Sequence, residues 1–424
     1  MGAFREAEFP DVPCGEIMRR KIKGLSGEAR AENLVPRPGI WRGIPAHWRA
    51  ASLAFLATRT PLVLFAWLIH RFMGPAPPAG QFLFHGGGPH ANWLVDTFQK
   101  WDSYWFLNIV RNGYHFYGVQ EQVQGVAAGI PETNVTPFPL YPMLMKGVGW
   151  LTGDPAVAGL IISQVCLFLA LVLLYRLARQ DGDDNRANWA VWLFAAQPWT
   201  YAFSAIYSES LFFVLVVAAV LAARRNRYLL AGLAGMLASM TRLLGVLVLL
   251  PVGLEYLAAR QYKIRRIDWK ASSLALIPLG ILMYFGYLWR LTGNALAYFA
   301  AQSGWHKQVV GPWVHPLRWL TAGGFNGENL FDLGATVFMC ALLFLGYRRI
   351  RRSYWIYALA YFLVLISSSE LQGLARYCAG LFPVTLILAG LAERYPEAGR
   401  VNLVLFAMSA PVVFFIWTGW ISSF

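Results

Sequence analysis

The sequence predicts an all-α polytopic membrane protein, and three observations lead there. Of 424 residues, 57% are hydrophobic and only 14% charged, where soluble domains carry about 25% charge. Mean hydropathy is +0.45. Apolar residues recur in runs of about 17–22 bounded by charge, the length a helix needs to cross a bilayer.

Residues 1–50 are polar, mixed in charge and without an apolar core, so they are expected to form a cytoplasmic N-terminal segment and not a cleavable signal peptide. Residues 51–424 are expected to form the transmembrane domain. About eleven spans are predicted, at 51–72, 155–178, 187–203, 208–224, 228–241, 243–259, 271–290, 329–347, 354–368, 375–392 and 401–420. Several are short, so neighbours can merge or one can be re-entrant. Cys14, Cys166, Cys340 and Cys378 are scattered without a metal or redox spacing and are expected as free thiols.

Orientation follows from lysine and arginine near the span ends. With the N-terminus inside, the cytoplasmic segments carry 26 of these residues, whereas the long outer loops 73–154 and 291–328 carry 3 and 2. The net charge of +14 is therefore a topology signal and an attraction to anionic lipid headgroups. It calls for no nucleic-acid partner.

The first outer loop is long enough to be functional. It contains KWDSYWFLNIVRNGYHFYG, residues 100–118, which places Asp102 beside Trp101 in an aromatic setting. Leu94, Phe98, Trp101, Trp105 and Ile109 recur at helical steps, which predicts one helix lying flat in the membrane interface, where tryptophan is favoured. Asp102 falls one step off that stripe, toward the seam with the bundle. A second interfacial helix is expected over PFPLYPMLMKGVGWL, 137–151. No internal repeat is visible, and GGGPH at 86–90 lacks the ending and flanking strand of a phosphate loop.

Asp102 has two readings: an interfacial capping carboxylate, or a general base whose proton affinity is raised by partial desolvation. Asp96 is six residues away and would point elsewhere on a single helix, so the pair does not resemble that of soluble glycosidases. Ionisable residues also sit at predicted outer span ends: Glu209 in YSESLFF, Arg242 in SMTRLLG, and Glu370 and Arg376 in SSSELQGLARY. Such residues mark a site or pair with one another, Glu370 with Arg376 being the obvious pair. Arg59, inside the first span, is expected to be ion-paired or to snorkel. The second outer loop, AQSGWHKQVVGPWVHPLRW at 301–319, interleaves His306, Lys307, His315 and Arg318 with tryptophans. Interfacial anchoring explains the tryptophans but not His306 next to Lys307, which suits a phosphate headgroup. Two histidines nine residues apart are a weak zinc signal, and the NVT at 134–136 says little.

WDSYWFLNIVRNGY, FPLYP, YSESLFF, TRLLGVL and RYCAGLFP occur in this order. Together they resemble the membrane glycosyltransferases of the GT-C class, and most closely the second GPI mannosyltransferase (PIG-V type) family and its prokaryotic relatives. The similarity runs from about 50 to 395. It implies a GT-C type fold and a polyprenyl-phosphate-linked sugar donor, usually mannose. It also implies inverting transfer to a lipid or glycolipid acceptor on the outer or lumenal face. The family's loop aspartate falls on Asp102, the expected base. The run between the GY and FPLYP motifs is longer and more polar than in relatives, which leaves the acceptor open.

On this reading Arg376, His306, Lys307 and Arg242 are the candidates for holding the donor phosphate. Trp101, Tyr104, Glu209, Gln302, Glu370 and Tyr377 are the candidates for contacting substrate. A lipid phosphate leaves already anionic, so no cofactor is required, and a divalent metal is compatible with the chemistry. The alternative is a lipid or glycan transporter or flippase, which predicts matched broken helices and a midplane site; a scaffold gives no reason for Asp102. Arginine content and the lack of a retrieval signal point to a bacterial plasma membrane over the endoplasmic reticulum.

Overall fold

The structure is a computed structural model, and it describes residues 43–74, 90–116, 133–303, 307–321, 327–371 and 373–420. His306, Glu132, Cys14 and most of the N-terminal segment lie outside them. Among the described residues there are helices and one isolated antiparallel bridge, between Val309 and Ser368. The chain is all-α, as its composition predicts.

Helix α1 is Ala46–Met73. Two short helices follow, α2 (Trp93–Phe98) and α3 (Asp102–Asn112), then α4 (Leu140–Thr152), α5 (Pro155–Asp181) and α6 (Asp184–Ala196). A 3₁₀ segment, Pro198–Phe203, leads to α7 (Glu209–Arg224) and α8 (Tyr228–Ser239). Helix α9 (Leu249–Ala259) is preceded by 3₁₀ turns from Leu243, and α10 (Leu276–Thr292) by 3₁₀ turns from Trp269. The remainder is α11 (Ala297–Ser303), α12 (Val314–Thr321), α13 (Gly327–Gly346), α14 (Arg352–Ile366), α15 (Leu374–Ala379), α16 (Phe382–Arg394) and α17 (Pro396–Phe415). The expected spans fall on these helices and their 3₁₀ or π extensions, except that 375–392 is broken at Gly380–Leu381 into α15 and α16, where Pro383 opens the second helix. Among the described residues four helices are long and apolar enough to cross a membrane: Ala46–Met73, Pro155–Asp181, Trp269–Thr292 and Pro396–Gly419.

Local chemistry explains the boundaries. The Asp154 side chain accepts from the Ala156 N–H and Pro155 opens α5, a capped start in which proline leaves no unpaired N–H at the first helical position. Asp183 caps α6 through the Asn185 and Arg186 N–H groups. Small residues let helices approach closely, as membrane interfaces favour. A Cβ on Gly232 of α8 would lie 2.1 Å from the Ser273 carbonyl, and one on Gly280 of α10 would lie 2.2 Å from that of Met236. The main core packs α1, α5, α6, α7, α14 and α16 around Tyr175, Phe194, Phe213, Tyr357 and Phe382.

The single interfacial helix expected through residues 94–109 is broken in two. Trp101 has φ 51°, a costly conformation for a bulky residue. It is held by a hydrogen bond from its indole Nε1 to the Trp417 carbonyl at 2.7 Å, so the C-terminal helix dictates the break. Asp96 and Asp102 therefore lie on separate helices. Asp96 pairs with Lys100 at 3.2 Å and accepts from the His90 N–H.

Arg59 departs from expectation in another way. It is 6% exposed, so it does not snorkel, and it pairs with no carboxylate among the described residues. It donates to the carbonyls of Ala195 (2.7 Å) and Thr200 (3.1 Å) and to the hydroxyls of Ser204 (2.7 Å) and Thr200. A cation thus satisfies the carbonyls left open where α6 ends. Arg59→Leu is expected to lower stability by roughly 2–3 kcal/mol, read as a fall in the thermal midpoint of the detergent-solubilised protein. An unchanged midpoint would remove that role.

The far ends of α5, α7, α9 and α14 meet in an ionic network. Arg224 binds Asp181 at 2.6 Å and the Tyr354 hydroxyl at 2.8 Å, and Arg351 binds Glu255 at 2.8 and 3.0 Å. This cluster lies at the opposite end of the 16-residue α7 from Glu209, about 22 Å along a helix.

Candidate active site

At the Glu209 end of α7, residues from four parts of the chain converge. Asp102 opens α3. Glu209 opens α7 and is 5% exposed. Arg242 precedes the 3₁₀ turns of Leu243–Val248, and Arg376 and Tyr377 lie on α15. Arg376 Nη2 donates to Asp102 Oδ2 at 3.0 Å and to the Tyr377 hydroxyl at 3.1 Å. Arg242 Nη2 lies 2.7 Å from Glu209 Oε1, and Arg376 Nε lies 3.6 Å from that same oxygen. Arg242 Nε donates to Ser208 Oγ at 3.0 Å. Two carboxylates and two guanidiniums thus alternate, and they balance in charge.

Aromatic rings wall the cluster. The Arg376 guanidinium stands 5.2 Å from the Tyr207 ring and 5.0 Å from that of Tyr377, which Arg242 approaches from another side at 5.3 Å. Such contacts stabilise a cation away from water. Tyr207 is itself fixed by the Trp417 Nε1–H at 3.1 Å. The carboxylate of Asp102 is 46% exposed, against 14% for the Arg376 side chain. It is a half-open group, less desolvated than its aromatic neighbours in sequence suggest.

Hydrogen-bonding capacity is left over. Arg376 Nε is buried and donates to no acceptor within hydrogen-bond distance among the described residues. Glu209 Oε1 has only its ionic contacts with the two guanidiniums, and the buried Oε2 meets no donor among the described residues. A buried N–H and a buried carboxylate oxygen without partners are unfavourable unless a ligand meets them.

The second outer loop reaches the same place by backbone pairing. The Val310 N–H donates to the Ser367 carbonyl at 2.7 Å, and the Ser369 N–H to that of Gln308 at 2.8 Å. This lays residues 307–310 along the segment that leads into α15. Lys307 comes within electrostatic reach of the Tyr377 hydroxyl. Gln302 donates to Tyr298 at 3.0 Å, and Tyr298 in turn senses Tyr377 and Arg242. His315 is held by the Ser368 carbonyl at 2.6 Å.

Three sequence candidates stand elsewhere. Glu370 is exposed and pairs with none of the described residues, so Arg376 is the partner of Asp102 and Glu209 and not of Glu370. Trp101 is committed to Trp417. Tyr104 is buried, and burial together with the nearby Asp96 charge pushes its phenol up to about 12.

Sequence reasoning missed Tyr207 and Ser208, although both sit in the YSESLFF motif beside Glu209. It also passed over Asn134. That side chain is 1% exposed. It donates to Asn108 Oδ1 (2.7 Å) and the Gly113 carbonyl (2.8 Å) and accepts from the His115 N–H (2.6 Å). It clamps the end of α3, and so the helix that begins at Asp102.

Among curated proteins none matches the chain. Among solved structures it is similar to ArnT from Cupriavidus metallidurans bound to undecaprenyl phosphate, with 17% identity, 72% of this chain and 61% of that chain covered, and a TM-score of 0.45. It is also similar to the oligosaccharyltransferase AglB from Archaeoglobus fulgidus in complex with an inhibitory peptide and a dolichol-phosphate, with 15% identity, coverage of 88% and 55%, and a TM-score of 0.44. The chain thus spans less than two thirds of the length of either. Residues 89–287, just under half of the chain, match the family model described as mannosyltransferase (PIG-V). That stretch includes Asp102, Glu209 and Arg242, and its similarity is to the same family that the sequence motifs resemble.

Proposed function

We propose that the protein transfers a sugar, mannose on the family match, from a polyprenyl-phosphate donor to a hydroxyl of a lipid or glycolipid on the outer face of a bacterial plasma membrane. The observation that carries this reading is the leftover bonding capacity beside Asp102. The Arg376 Nε–H, which no acceptor meets within hydrogen-bond distance, suits a phosphate oxygen, and Glu209 Oε2, which no donor meets, suits a sugar hydroxyl.

The steps follow from these groups. The acceptor hydroxyl gives its proton to Asp102 as its oxygen attacks the anomeric carbon from the face opposite the phosphate. The bond from that carbon to the phosphate oxygen breaks, its electron pair stays with the phosphate, and the configuration inverts. The phosphate gains one negative charge, which Arg376 and Arg242 stabilise where it develops. Without substrate, Arg376 occupies Asp102 Oδ2. Donor phosphate competes for that guanidinium and releases the carboxylate to act as base, so the base is freed when the donor is in place.

The test is transfer of radiolabelled mannose from polyprenyl-phosphate mannose to a membrane lipid extract by the purified protein, with intact-mass measurement of the product. Label is expected in a lipid product one hexose heavier than its acceptor. No transfer from any polyprenyl-phosphate sugar would overturn the proposal.

A further inference from the structure

A cavity of about 430 Å³ opens on the side of the bundle between α6, α13, α15 and α16. Its volume is in the range of small-molecule sites. The wall is apolar, with Trp199, Phe331, Phe338, Leu342, Cys378 and Leu388 contributing. Trp199 and Phe331 stack across its rim at 5.7 Å.

Two features distinguish this groove from a packing gap. First, it backs onto the charged cluster. Ala375, Cys378 and Ala379 of α15 line the groove, and on the same short helix Arg376 and Tyr377 enter the cluster. Second, the groove contains one polar group that nothing satisfies. Gln197 is 6% exposed and lines the wall, and its amide Nε2 is buried with no hydrogen-bond partner among the described residues. An unmet buried amide is unfavourable. A prenyl chain is pure hydrocarbon and offers it nothing. An acyl chain joined through an ester offers a carbonyl oxygen close to the headgroup. Gln197 sits where α6 ends and the 3₁₀ segment runs on toward Tyr207 and Glu209.

We infer that the groove holds an acyl chain of an ester-linked glycerolipid, with the Gln197 amide turning about its last side-chain torsion to donate to the ester carbonyl. Resting on the transferase reading above, this lipid is the acceptor: its tail lies in the groove and its headgroup hydroxyl is delivered past α15 to Asp102. The donor's prenyl chain runs elsewhere.

The test uses three photoreactive probes on the full-length purified protein: a diazirine-bearing phosphatidylglycerol, whose headgroup carries free hydroxyls, its ether-linked analogue and a diazirine-bearing polyprenyl phosphate. Labelled peptides are mapped by mass spectrometry. The ester probe is expected to label peptides containing residues 193–199 and 330–342. The ether probe should label them about fivefold less, the loss of one hydrogen bond. In Gln197→Leu that ratio should fall to near one. Gly334→Phe should block labelling, since a Cβ at Gly334 meets open space and the ring would fill the groove. The near-isosteric Gln197→Leu remains readable if Gly334→Phe does not fold.

Equal labelling of the parent by ester and ether probes overturns the inference, and so does occupation of the groove by polyprenyl phosphate. Labelling needs no turnover, so the two readings fail separately. Mannose transfer without groove labelling overturns the groove alone. Ester-selective labelling without transfer leaves the groove and overturns the transferase.

Discussion

Asp102→Asn should leave a folded protein that still binds donor and has lost about 10²–10⁴-fold of its turnover, the range a positioned base supplies. The substitution is nearly isosteric, and the amide oxygen can still accept from Arg376 Nη2, which now reaches Asp102 Oδ2 at 3.0 Å. What disappears is the group that takes the acceptor proton. The measurements are initial rates of transfer with donor affinity determined alongside. Turnover within a few-fold of the parent would remove Asp102 from this role, and Asp96 and Glu132 would be tested next. Asp96 is the weaker substitute, because Lys100 and the His90 N–H already occupy its carboxylate.

Arg376→Ala carries the second largest expected effect, a loss of about 10²–10³-fold in kcat/KM for the donor. Acceptor KM should stay near the parent value. The change should persist in a Glu370→Gln background, because Glu370 is not the partner of Arg376. Arg376→Lys should recover only part, since lysine presents a point charge where the guanidinium reaches Asp102, Tyr377 and the Glu209 side together. A structural role alone would show as a fall in thermal midpoint with donor and acceptor KM unchanged in the surviving protein, and that result would count against a phosphate contact.

Helix positions were largely legible in the sequence because each apolar run must satisfy its own backbone within a bilayer, which only a helix does for an isolated segment. The stretch over 187–203 illustrates the limit. Its apolar pattern is continuous, yet α6 stops at Ala196 and a 3₁₀ segment follows, with the freed carbonyls taken up by Arg59, more than 130 residues earlier. Periodicity along one segment carries no information about a donor that distant. The broken helix at Trp101 has the same origin, since the Trp417 carbonyl that holds it comes from the other end of the chain.

The candidate site divides along the same line. The sequence by itself determined which residue types lie at one end of the spans: Asp102 in an aromatic run, and Glu209, Arg242 and Arg376 at span ends, where an unpaired charge is too costly to be incidental. Pairing was decided only by the tertiary structure. Glu370 lies nearest Arg376 in sequence and was the natural partner on local grounds, but the chain turns at Gly373, φ 84°, and carries Arg376 across to Asp102, 274 residues away. Ion pairs are chosen by distance in space and by burial. Glu209 is buried where the guanidiniums converge and Glu370 is exposed, so the buried carboxylate takes the charge partners and the exposed one is left to solvent.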